Sequence, residues 1–277
     1  HAAARDGAAV VTASIPVPVH DADAVVDAIV SRITDRTRLL LLDHVTSPTG
    51  LVLPAAAIVR AAHERGVEVL VDGAHVPGML DLDLRALGAD YYTGNCHKWL
   101  CTPKGSAFLW VHPDRRDQIR PSVVSHGATM NREDRSRYLT EFDWTGTLDP
   151  TAYFCVGYAI DWFEGHVPGG WQAIRERNRA LALWARRRLE ASLGARSIAP
   201  DDMIGNLAAV ILPPDTAPPT GHPLFLSPLQ ERLLAEHRVE VPIIPWPAWP
   251  ERLIRVSAQL YVDTSDIERL VHALRAE

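Results

Sequence analysis

Apolar positions along the first half of the chain alternate between short unbroken runs and helical spacings. "AAVVTASIPV" (8–17) has strand character. "DADAVVDAIVSRI" (21–33) opens on an Asp N-cap candidate and continues with helical apolar spacing. "TRLLLLDHV" (37–45) is a continuous apolar run, and "PAAAIVRAAHERG" (54–66) is a helix bracketed by Pro and Gly. "VEVLVDGAH" (67–75), "ADYYTGN" (89–95) and "GSAFLWV" (105–111) follow as further strands. Continuous apolar strands separated by amphipathic helices predict an α/β fold, a mostly parallel sheet with helices on both faces.

After about residue 165 the texture changes. A long helical stretch, "GGWQAIRERNRALALWARRRLEASLG" (169–194), precedes the strand-like "IGNLAAVILP" (204–213), a helix around "SPLQERLLAEHR" (227–238), strand-like "VEVPIIP" (239–245) and "ERLIRVSAQLYV" (251–262), and a closing helix "TSDIERLVHALRA" (264–276). We expect a large domain over 1–164 and a smaller C-terminal α+β domain over 165–277. The Pro-rich "PPDTAPPTGHP" (213–223) reads as a surface loop inside the second unit, because strand and helix patterns flank it.

Ligands of open α/β sheets bind beyond the carboxyl ends of the strands, which makes three strand ends candidate chemistry. Asp43 and His44 with "VTSPTG" follow one strand, Asp72 to His75 the next, and Asn95 to Lys98 the third. An aldehyde cofactor held by an amine needs a lysine that can lose its proton, and a pyridine ring acting as electron acceptor needs a carboxylate on its nitrogen. Asp72 and Lys98 match those two needs. Taken singly, Asp72 reads more readily as an N-cap or salt-bridge partner, and Lys98 as a solvated surface charge; it is the combination that points to the chemistry. His44, His75 and His97 share the same edge but lack the Cys or carboxylate spacing of a metal site, so they read as hydrogen-bonded loop histidines and no metal is expected.

Composition narrows the partners. Hydrophobic residues make up 47% and charged residues 22%, as in ordinary globular proteins. With 34 acidic against 28 basic residues the net charge is -6 and no basic run forms, which argues against nucleic acid. No apolar run reaches the roughly 20 residues of a membrane helix. Three cysteines without paired spacing point to a reducing compartment, the cytoplasm.

The run "VDGAHVPGMLDLDLRALGADYYTGNCHKWLCTPKG" (71–105), with "FDWTGTLDP" (142–150) and "IRVSAQLY" (254–261), resembles the cofactor segment of class V aminotransferase-like enzymes, fold-type-I pyridoxal-phosphate proteins, especially the isopenicillin N epimerase-like branch with its C–S lyases. The resemblance extends over nearly the whole chain. It implies pyridoxal 5′-phosphate as cofactor, an amino acid as substrate, and epimerisation, C–S cleavage or transamination as the reaction. A non-catalytic fold-type-I subunit is the alternative of another class.

By matching positions, the resemblance makes Lys98 the Schiff-base lysine, Asp72 the partner of the ring nitrogen and His75 the contact to the ring oxygen. It places His97 at the phosphate or pocket wall, and Arg255 on the substrate carboxylate, where a planar guanidinium matches two oxygens at once. Thr46 and Ser47 stand where related desulfurases carry an Asn near the ring, and Asn95 stands where a phosphate-binding Ser is usual. Thr147 would reach the phosphate held by the other subunit of a homodimer with shared sites, and "TAYFCVGYAIDWF" (151–163) is apolar enough to pack on that neighbour or to form a core helix. Family members also carry an upstream phosphate-binding segment. The opening "HAAARDG" reads as the tail of a helix, so the large domain is expected to be incomplete at its N-terminus.

Overall fold

The computed structural model describes residues 2–216 and 227–277. The first layer is a four-stranded sheet in the order β1-β2-β3-β4, formed by β1 (Leu39–Asp43), β2 (Glu68–Asp72), β3 (Tyr91–Asn95) and β4 (Ala107–Val111). β1, β2 and β3 run parallel with Asp43 opposite Asp72, and β4 pairs antiparallel so that Ala107 faces Asn95.

The helices of this half follow from local signals. After α1 (Ala2–Arg5), α2 (Ala22–Val30) is capped by Asp21, whose carboxylate accepts the Ala24 amide at 2.8 Å, and it buries Val25 and Ile29 one turn apart. α3 (Ala55–His63) buries Ala55, Ile58, Val59 and Ala62, an i, i+3, i+4, i+7 stripe against β1 and β2. α4 (Leu84–Leu87) starts on the Asp83 carboxylate and stops at Gly88, whose φ of 72° is the left-handed terminator that glycine allows. The outer side of β1 is open: Leu39 and Leu41 remain 51% and 66% exposed.

One expectation fails. Residues 8–17 form no strand; Val10 and Val11 are exposed at 81% and 61%. An alternating apolar pattern favours extended backbone, but a strand exists only where a neighbour completes its hydrogen bonds, and this segment has no ladder among the described residues.

α5 (Arg137–Asp143) and α6 (Thr151–His166) follow. α6 is not a core helix: none of its residues is buried, and Tyr153, Phe154, Tyr158 and Trp162 are all exposed. α7 (Gly170–Leu193) then packs against α9 (Thr264–Ala276) and against a second sheet, ordered β5-β6-β8-β7, of β5 (Arg196–Ser197), β6 (Leu207–Leu212), β7 (Ile243–Pro245) and β8 (Arg252–Ser257), with α8 (Pro228–His237) before β7. All its pairings are antiparallel, and Arg255 sits opposite Ala209. Most of the "PPDTAPPTGHP" segment lies outside the described residues. Among the described residues no helix is long and apolar enough to cross a membrane.

The two sheets meet beside the carboxyl edge of the first. Leu51 bridges to Ile204, and the Val52 amide donates to the Met203 carbonyl at 2.9 Å. Gly50, with φ 68°, presses so closely on Leu207 that an added Cβ would stand 2.7 Å from that side chain.

Candidate active site

Three strand ends and one strand of the second sheet converge here. Asp72 closes β2, and its Oδ1 accepts the Ala74 amide at 2.9 Å, which fixes the carboxylate at the start of the turn that carries His75. Lys98 and Trp99 lie in the connection from β3 to β4. Lys98 Nζ stands 3.2 Å from His75 Nε2, and the Trp99 indole donates to His75 Nδ1 at 3.4 Å. Arg255 reaches from β8 to donate to the Ser47 carbonyl, with the Ser47 hydroxyl 3.5 Å away, while its buried Nε has no partner.

Close approaches make the geometry rigid. A Cβ on Gly73 would fall 2.0 Å from the Tyr92 hydroxyl, so only glycine lets the backbone after Asp72 cross this ring. That hydroxyl pairs with His44 Nδ1 at 3.1 Å, and the His44 amide donates to the Asp72 carbonyl at 2.8 Å, tying β1 to β2. Gly78, φ 85°, abuts the Trp99 carbonyl with 2.8 Å to a hypothetical Cβ, which presses the His75 turn onto the Lys98 turn.

Burial dominates the electrostatics. It lowers the Lys98 amine below its ordinary value; Asp72 opposes that shift and Arg255 adds to it. His75 falls to about 4, through burial first and then the positive charges of Lys98 and Arg255. Burial lowers His44 to about 4 as well. Asp43 is raised, by burial and then by Asp72 opposite it.

The His44 shift has a consequence for stability. Between pH 6.5 and about 4 the unfolded chain protonates His44 while the folded protein does not, so the stability of keeping this ring neutral is complete above pH 6.5 and is lost as the pH falls toward 4. We expect the unfolding free energy from urea titration to drop on acidification across that window, by on the order of 2 kcal/mol more in the wild type than in His44→Gln, which carries no titrating ring. Equal acid sensitivity in the two proteins, measured by urea titration at pH 7 and pH 4.5, would contradict a buried neutral His44.

The remaining predicted residues are placed as follows. His97 is half-buried with Nδ1 2.9 Å from the Ser106 carbonyl, which leaves Nε2 as its free edge. Asn95 ends β3, half-buried. Thr46 spends its hydroxyl on its own turn, 2.6 Å from that of Thr49 and accepting the Leu51 amide at 2.9 Å. Thr147 is exposed between α5 and α6. The structure thus brings Asp72, His75, Lys98, Arg255 and Ser47 together on one edge, while Thr147 stands on the surface of this single chain. Each of the three candidate metal histidines has a non-metal partner: Tyr92 for His44, Lys98 and Trp99 for His75, and Ser106 for His97.

Sequence reasoning missed two features. One is the Trp99 indole on His75; "HKW" was conspicuous, but nothing in a linear sequence shows that its indole meets a ring 24 positions earlier. The other is Gln259, within "IRVSAQLY": its amide donates to the Trp99 carbonyl at 3.3 Å and accepts from Asn178 at 2.9 Å, linking β8, α7 and the lysine turn.

A three-stranded parallel core with an antiparallel fourth strand, a lysine and an aspartate at its carboxyl edge and an antiparallel second sheet supplying an arginine define a fold-type-I architecture. The chain belongs to the class-V aminotransferase family, whose model matches residues 1–270. It is 38% identical over 285 residues to an isopenicillin N epimerase of Amycolatopsis lactamdurans, covering 99% of this chain and 68% of that protein. A putative L-cysteine desulfhydrase of Oryza sativa subsp. japonica is 31% identical, covering 98% of this chain and 59% of that one. Among solved structures, a C-DES mutant with glycine covalently linked to its pyridoxal-phosphate cofactor superposes with a TM-score of 0.69 at 25% identity, covering 90% of this chain and 63% of that chain.

Proposed function

We propose that the protein is a pyridoxal-phosphate-dependent enzyme that acts on an amino acid by removing its Cα proton, with epimerisation of the isopenicillin N epimerase type as the favoured outcome. One observation carries this reading: the Lys98 amine, the Asp72 carboxylate and the partly unpartnered Arg255 guanidinium converge around His75 at the strand ends. The residues fit the cofactor. Burial favours the uncharged amine that an aldehyde requires, and the buried Nε of Arg255 lacks an acceptor that a bound anion would supply.

When bound, pyridoxal phosphate supplies an aldehyde that captures amines and a ring that accepts the electron pair released at Cα. Lys98 would hold the aldehyde and, once the substrate amine has replaced it, take the Cα proton on Nζ. Asp72 would keep the ring nitrogen protonated, and His75 would present its Nε2 edge to the ring oxygen. His97 and Asn95, with Thr46 and Ser47 across the edge, would line the phosphate and ring pocket. Arg255 would seat the substrate carboxylate.

We extend the proposal to a division near residue 164 into a cofactor-binding unit and a smaller unit, and to a homodimer in which Thr147 serves the neighbour's phosphate. The exposed aromatic face of α6, unusual for a surface helix, supports the dimer. Carbon–sulfur cleavage is the second reading, because the desulfhydrase matches nearly the whole of this chain. Incubation with a panel of amino acids in deuterated water tests both: we expect deuterium at Cα with inversion for an epimerase, or pyruvate and sulfide from cysteine for a lyase. A panel that shows no Cα exchange and no product would sink the enzymatic reading.

A further inference from the structure

We propose that Trp99 is a positioning residue: by donating its indole N–H to Nδ1 of His75, it fixes the ring proton on Nε2 and aims it at the lone pair of Lys98. This rests on the reading that Lys98 is the reactive amine.

Donor chemistry fixes the direction of both contacts. An indole nitrogen can only donate, so His75 Nδ1, 3.4 Å away, must accept and carries no proton. An imidazolium is thereby excluded, and a neutral ring with bare Nδ1 carries its hydrogen on Nε2. Nε2 lies 3.2 Å from Lys98 Nζ. An ammonium offers three donors and no acceptor, so a protonated Lys98 would set N–H against N–H; a neutral amine accepts the Nε2 proton. The relay therefore stabilises the uncharged form of Lys98, the state needed to capture an aldehyde and later to take a proton from carbon.

Packing keeps the relay in register. Trp99 is 7% exposed, and its carbonyl is held by Gln259 and crowded by Gly78, so the indole has little freedom. The other charged groups acting on Lys98 are Asp72 from β2, which favours the ammonium, and Arg255 from β8, which opposes it; Asp72 also acts on Asp43 of β1. None of these can select a tautomer of His75. Trp99 can.

The test has two readouts on cofactor-stripped protein. The first is the 15N spectrum of the histidines, with the His75 signals identified by their loss in His75→Gln. We expect the Nε2–H form in the wild type and a mixture of tautomers in Trp99→Phe. The second is the rate at which added pyridoxal phosphate is captured as a function of pH, without any substrate. In Trp99→Phe the midpoint should move up by about one pH unit, a tenfold change in the neutral fraction. His75→Gln should keep the wild-type midpoint, since its amide can accept from the indole and donate to the amine, whereas His75→Leu should shift like Trp99→Phe.

An Nδ1–H tautomer in the wild type, or identical midpoints in wild type, Trp99→Phe and His75→Leu, overturns the proposal. If Trp99→Phe does not fold, as judged by circular dichroism, the wild-type spectrum and the two His75 variants decide. Should the wild type capture no pyridoxal phosphate on Lys98, the cofactor reading fails, while the tautomer of His75 still decides the relay.

Discussion

Lys98→Ala is expected to lose Cα exchange and turnover by about four orders of magnitude, the upper range for removing a positioned acid–base group. The variant should still fold, because Lys98 is only half-buried and its amine is set against His75 rather than locked in an ion pair. Lys104, the other amine of the β3–β4 connection, lies exposed beside Gly105 and should not substitute. Circular dichroism together with deuterium incorporation at Cα checks both halves of this expectation. The same variant tests the proposed sharing of sites between subunits. Mixed dimers of Lys98→Ala and Thr147→Ala chains should regain about half of wild-type activity, since one site would then carry both defects and the other neither. Activity no higher than the average of the two parent variants would mean that each chain serves its own site.

The second large effect falls on Asp72. Asp72→Asn keeps the shape and a hydrogen-bonding oxygen for the Ala74 amide, so the turn to His75 should survive. The charge is lost, and with it the group that would keep a pyridine nitrogen protonated. We expect kcat to fall by about 10²–10³, the scale seen when a preorganised electrostatic partner is removed, with cofactor occupancy nearly unchanged. Asp43 is the internal control. It ends the neighbouring strand directly opposite Asp72, but it is the more solvent-exposed of the two, and Asp43→Asn should be far milder. Equal losses in the two variants would assign the effect to the general field of the edge rather than to Asp72.

Much of this was legible in the sequence, for identifiable reasons. The apolar runs ending at Asp43, Asp72 and Asn95 are strands ending at those residues, because parallel core strands are bounded by the polar residues that leave the sheet. The helix start at Asp21 was readable from capping chemistry, whereas the Asp263 cap, which closes a full capping box with Asp266, emerged only in the structure. Residues 8–17 were misread because strand character is a preference that only a partner strand realises. The fate of α6 could not be read either, since apolar aromatics on a helix look the same whether they face a core or a surface. Within the site, strand topology was enough to group Asp72 with Lys98, and the family motif singled out Arg255. The His75–Trp99 contact and the Tyr92 hydroxyl beneath Gly73 depend on side-chain directions between segments far apart in sequence, which no spacing rule encodes.

The most direct measurement is to load the protein with pyridoxal phosphate, reduce it with borohydride and map the modified peptide by mass spectrometry. A single phosphopyridoxyl group is expected on Lys98, within residues 93–105, and none in Lys98→Ala. A modification on Lys104, or one that persists in Lys98→Ala, would contradict it.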